Sequence, residues 1–133
     1  APMPGASATA PSKKAQRKQA LSPNASKVVQ QARSLVGTPF KWGGAGPLGF
    51  DQSGLTQYVY RTVGLNLPRI TFQQAAYGPR VPLDQIRAGD LVAWGPSMRD
   101  ADQVAIYIGD GQVVYAPKPG ERVKIRPLWD PER

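Results

Sequence analysis

The residues of this chain with the most chemical potential lie together in Gly49-Phe50-Asp51-Gln52-Ser53-Gly54-Leu55. A carboxylate, an amide and a hydroxyl follow one another there between two glycines. This is the pattern of a turn that presents a nucleophile at the start of a helix. The central residue is Gln52, however, and an amide does not attack at neutral pH. Ser53 beside it has no activating partner, because the 133 residues include no histidine and a lysine base would have to be buried next to it. Its simpler role is to bond the first turn of the helix, as serine does at a cap. Asp51 and Asp102 are the remaining candidates, as a carboxylate pair of the glycosidase kind, and both more simply position neighbouring backbone. With no cysteine either, disulfides, thiolate nucleophiles and Cys or His metal centres are excluded by count. No metal and no cofactor is expected.

The elements that must position these residues change character along the chain. Ser22-Pro23 reads as a helix start, and Val28, Val29, Ala32, Leu35 and Val36 recur at helical spacing up to Gly37. Residues 42–49 are too glycine-rich for a regular element and read as a loop. A second helix is predicted from about Ser53, with Leu55, Val59 and Val63 on one face and Gly64 closing it. Thr71–Tyr77 reads as a short third helix. Gln52 therefore stands at a helix N-terminus, where unpaired N–H groups and the helix dipole depress the pKa of a thiol.

After Gly89-Asp90 the apolar period becomes two. Leu91–Trp94, Val104–Ile108, Val113–Tyr115 and Val123–Ile125 read as strands, with a hairpin turn at Gly109-Asp110-Gly111. Helices first and antiparallel strands second predict an α+β domain with the N-terminal helices packed on one face of the sheet. Trp42 and Trp94 are expected in the core or a cleft wall, and Trp129 is expected to clamp the C-terminal tail. Lys118, Arg122, Lys124 and Arg126 alternate along the final strand and read as a solvated edge.

The net charge is +8, and it is unevenly placed. Residues 1–27 carry five basic side chains and no acid, whereas the other 106 residues carry twelve basic and nine acidic ones. Residues 1–21 read as a basic Ala/Pro/Ser-rich arm, and 22–133 as the folded domain. Lys13, Lys14, Arg17 and Lys18 make the arm either a solvated linker or an electrostatic anchor for an anionic polymer. No apolar run approaches the roughly 20 residues of a membrane span. A start at Ala1-Pro2-Met3-Pro4 reads as a processed or trimmed polypeptide. Nucleic acid is not an expected partner, because the basic residues are not interleaved with aromatics.

Four blocks in order carry a family resemblance. They are Gly37-Thr38-Pro39-Phe40-Lys41-Trp42-Gly43-Gly44, Gly49-Phe50-Asp51-Gln52-Ser53-Gly54, Ala88-Gly89-Asp90-Leu91-Val92 and Gln103-Val104-Ala105-Ile106-Tyr107-Ile108-Gly109. Together they resemble the NlpC/P60 family of papain-like cysteine peptidases, which cut peptidoglycan stem peptides. The wording Gly46-Pro47-Leu48-Gly49-Phe50-Asp51 looks most like the mycobacterial Rip-type members, and among those most like a non-catalytic one.

The resemblance implies a papain-like NlpC/P60 fold, and the departures from it imply lost catalysis. Active members carry cysteine where this chain has Gln52 and histidine where it has Gln103. The third polar station, twelve residues after the base, is Tyr115. The tyrosine often found before Trp-Gly-Gly is Phe40. The implied protein is a secreted, non-catalytic peptidoglycan-binding domain of the cell wall or periplasmic envelope, expected as a monomer. Its implied binding residues are Phe40, Asp51, Gln52, Ser53, Gln103 and Tyr115, with the last two converging on Gln52 at one cleft. The alternative is a structural partner or regulator of active cell-wall hydrolases.

Overall fold

The computed structural model describes residues 15–16, 24–77, 80–95 and 103–128. The apolar period of two after Gly89 builds three adjacent strands, β5 (Leu91–Trp94), β6 (Gln103–Gly109) and β7 (Gln112–Tyr115). They join β1 (Ala15–Gln16), β4 (Arg80–Val81) and β8 (Lys124–Pro127) in a six-stranded antiparallel sheet ordered β4-β1-β5-β6-β7-β8. The β6–β7 turn has φ of 56° at Asp110 and 72° at Gly111. Positive φ at both turn residues follows the right-handed strand twist and explains the Asp-Gly pair.

Alternation splits the strand residues between two faces. Leu91, Ala93, Val104, Ile106, Ile108 and Val114 face the helices and join Val28, Ala32, Phe50, Leu55, Val59 and Tyr60 in the main core. Val92, Trp94, Ala105, Val113 and Leu128 form a second buried cluster on the opposite face. Each fully buried Leu, Ile or Val in these layers contributes about 2 kcal/mol of transfer free energy.

The helices are α1 (Ala25–Ser34), α2 (Gln52–Arg61) and α3 (Thr71–Ala76). The expected start of α1 at Ser22-Pro23 lies outside the described residues. Val36, counted with its apolar face, is 42% exposed beyond the helix end. Val63 lies past the end of α2, yet it still packs against the core.

Four expectations are corrected. The glycine loop contains a small antiparallel ladder of β2 (Ala45–Gly46) and β3 (Gly49–Phe50). Ala15–Gln16, within the arm, pairs with Leu91–Val92 on one side and Arg80–Val81 on the other; two-residue pairings carry no readable period. The last strand runs Lys124–Pro127 rather than Val123–Ile125, because Val123 instead exchanges hydrogen bonds with Gly37 and Thr38 at 2.8 and 2.7 Å. Arg126 is not part of a solvated edge: it is 5% exposed, with its guanidinium 4.4 Å from the Tyr115 ring centre and 5.0 Å from that of Trp94. Trp129, Asp102 and the charged arm residues lie outside the described residues.

Candidate functional site

Backbone hydrogen bonds draw three segments together at the start of α2. Residues 37–41 lie between residues 121–123 and β3: Phe40 N–H donates to Glu121 O at 2.9 Å, and Lys41 N–H donates to Phe50 O at 2.9 Å. This fixes Phe40 beside the turn into α2. Trp42 follows, stacked edge-on against Phe40 at 5.4 Å, and is 77% exposed, so it is no core residue.

Asp51 is the N-cap of α2. Its backbone is extended, with φ −90° and ψ −178°, and its Oδ1 accepts from Gly54 N–H at 2.7 Å. The capping role expected of Ser53 thus belongs to Asp51, which stands one residue before the helix and reaches its first turn. Ser53 is buried and its hydroxyl accepts from Arg69 Nη1 at 2.7 Å. The other arginine nitrogen pairs with Asp51 Oδ2 at 2.9 Å. Asp51 therefore has both oxygens engaged and its charge neutralised.

Glycine and glutamine complete the scaffold. A Cβ on Gly54 would stand 1.9 Å from the Gly44 carbonyl oxygen, so only glycine lets the 42–49 loop close over the helix start. Gln74 in α3 is fully buried; it donates to Ser53 O at 2.9 Å and to Pro68 O at 2.8 Å, and accepts from the Thr56 hydroxyl. Sequence reasoning missed both Arg69 and Gln74. Nothing local marks an arginine whose partner lies 18 residues away, or an amide whose partners are carbonyls of other elements.

The result is an open cleft of about 270 Å³. Phe40, Trp42 and Thr71 form walls, Asp51, Gln52 and Ser53 the helix end, and Pro117-Lys118-Pro119 the opposite rim. Gln52 Nε2 donates to Pro117 O at 3.4 Å, while its Oε1 is buried with no hydrogen-bond partner among the described residues.

Of the residues expected at the site, Phe40, Asp51, Gln52 and Ser53 meet at this cleft. Gln103 and Tyr115 are not in its lining. Gln103 opens β6 opposite Trp94, and its Oε1 is likewise buried without a partner. Continuing the Ile106–Val114 register along both strands sets it opposite Pro117, the residue Gln52 contacts. Tyr115 lies on the sheet face away from the helices, against Arg126. A proton relay among the described cleft residues has no histidine or thiol to carry it. What the arrangement offers is a shaped polar cleft at the start of a helix.

Comparison with known proteins agrees with this fold. The NlpC/P60 family pattern matches residues 37–131. Protein P54 of Enterococcus faecium is 44% identical over 103 residues, covering 77% of this chain and 20% of P54. The peptidoglycan endopeptidase RipA of Mycobacterium tuberculosis is 35% identical over 114 residues, covering 76% of this chain and 24% of RipA. The chain thus spans a quarter or less of these two relatives' length. Among solved structures, M. tuberculosis RipD superposes with a TM-score of 0.70 at 34% identity, covering 80% of this chain and 88% of that one. RipD is described as a non-catalytic NlpC/p60 domain protein adapted to a peptidoglycan-binding function. With the family pattern spanning most of the folded part and the same α+β frame around the start of α2, this chain belongs to the NlpC/P60 family.

Proposed function

We propose that this domain binds peptidoglycan through the cleft at the start of α2 and does not hydrolyse it. The observation that carries the reading is Gln52: an amide occupies the helix N-terminus, lines the cleft and is held by Pro117 O. A glutamine there is no nucleophile, and the chain contains no cysteine or histidine to replace the missing chemistry. The frame around it is complete, with the Asp51 cap, the Arg69 clamp and the Gln74 bridge all formed. Such an intact frame supports a cleft still used for recognition. The kinship with RipA, an endopeptidase, and RipD, a peptidoglycan-binding protein, supports the ligand class. The +8 charge suits a wall polymer that bears carboxylates. In this reading the domain works in the cell envelope, as a monomer, without metal or cofactor.

Co-sedimentation with purified insoluble peptidoglycan tests it, with duplex DNA as competitor. The protein is expected in the pellet, undiminished by DNA. Protein left in the supernatant, or displaced by DNA as readily as by soluble wall fragments, would overturn the reading.

A further inference from the structure

Resting on that reading, we infer that Gln52 is a positioning residue. It is the strut that holds the rim at residues 117–120 against the start of α2, and so it fixes the shape of the cleft. The ligand meets the rim and walls, and Gln52 acts on it through Pro117.

Pro117 is where the rim leaves the sheet. It lies beyond the end of β7 at Tyr115, and the β6–β7 register carried forward sets it opposite Gln103. A proline has no N–H with which to extend that ladder. The far end of the rim is fastened by backbone. Glu121 N–H closes a turn on Lys118 O at 3.1 Å, with Gly120 at φ 88°, and Glu121 O accepts from Phe40 N–H at 2.9 Å. The proline end needs a tether of another kind. Among the described residues that tether is Gln52 Nε2, which donates to Pro117 O at 3.4 Å from 65 positions away in the chain.

The tip of Gln52 suits this task and not direct contact with a ligand. Its Oε1 is buried, so a ligand in the cleft does not reach it. Turning the amide over would set that oxygen against the Pro117 carbonyl, so electrostatics fix the orientation with Nε2 forward. Alanine, serine or cysteine at this position is too short to span the gap. Glutamate has the length, but once ionised it presents only acceptors. Length and donor are both required. With the strut in place, the space between the rim, the helix end and the Phe40–Trp42 wall is set before a ligand arrives, which spares the ordering cost of closing a loop on binding.

The test follows the rim in the full chain by backbone nitrogen relaxation at Lys118, Gly120 and Glu121, without ligand. Gln52→Met keeps the length and removes the donor. It should raise the mobility of Lys118 and Gly120 and leave β6 and β7 as they are. It should also weaken binding of soluble peptidoglycan fragments about fivefold, the factor that one net hydrogen bond supports. Gln52→Glu should match Gln52→Met at pH 7. Below about pH 4 its carboxyl is protonated and donates again, so the ordered rim should return, a recovery that Gln52→Met does not show. A rim that stays ordered in both variants at pH 7, a loosened rim with unchanged affinity, or a Gln52→Glu rim that stays loose on protonation would overturn the strut. If the unsubstituted chain binds no fragment, the parent reading falls, and the ligand-free rim measurements still decide the strut by themselves.

Discussion

At position 52 an amide stands at the N-terminus of α2, and this has a measurable consequence. Gln52→Cys would place a thiol at the N-terminus of α2, where the dipole lowers its pKa. Alkylation by iodoacetamide should therefore proceed faster at pH 7 than for a free cysteine, yet stem-peptide cleavage should stay absent for want of a base. Gln52→Cys with Gln103→His restores partial turnover at best, because the tyrosine at 115 stacks on Arg126 and is poorly suited to orient an imidazole. Turnover by the single variant would contradict this assignment. Gln74 makes a second residue-scale prediction. Gln74→Leu leaves the Pro68 carbonyl without its side-chain donor and Ser53 O with the Thr56 hydroxyl in place of two side-chain donors, and should cost about 1–3 kcal/mol in urea unfolding.

Among the elements, α2 carries the site, and two of its residues show competing effects. Alanine favours a helix interior over glycine by about 1 kcal/mol. At Gly54 that gain loses to the 1.9 Å approach of the Gly44 carbonyl, so Gly54→Ala should destabilise by about 2 kcal/mol and loosen the cleft. Tyr60 is fully buried and donates to Gly89 O at 2.7 Å. Burial, and then the nearby Asp90 carboxylate, raise its phenol well above the ordinary 10.0. An unfolded tyrosine ionises near that value while the folded one stays neutral. The stability Tyr60 contributes is therefore complete below pH 10 and falls as the pH climbs further. Tyr60→Phe should lower stability at pH 7 by about 1–2 kcal/mol and flatten the alkaline decline, as read from unfolding midpoints between pH 8 and 11. The elements themselves were legible where a period runs long enough: Leu91–Trp94 is β5 as read, and Val28 and Ala32 are buried on α1 as their spacing requires. Two-residue strands at 15–16 and 45–46 have no period to read. The site was legible as a place, at the turn into α2. Its wiring was not, because Arg69 and Gln74 act across folds of the chain. The burial of Arg126 beside two rings, too, is set by packing rather than by local pattern.

Across the whole molecule, the proposed function divides the work between charge and cleft. Replacing Lys13, Lys14, Arg17 and Lys18 by glutamine removes charge from the arm and leaves Ala15 and Gln16, which pair with β4 and β5, unchanged in sequence. If the arm anchors the domain to an anionic wall, this variant should bind peptidoglycan several-fold more weakly at low salt and show a flatter salt dependence, since exposed charges act over about 10 Å at 0.1 M. Equal salt slopes would reduce the arm to a passive linker. The central claim is recognition without hydrolysis, and one measurement addresses both halves. The full chain is incubated with purified peptidoglycan, the pellet is assayed for bound protein, and the supernatant is analysed by mass spectrometry for released stem-peptide fragments. The predicted result is protein in the pellet and a supernatant identical to the protein-free control. Fragments that grow with time and protein concentration, or an empty pellet, would contradict it.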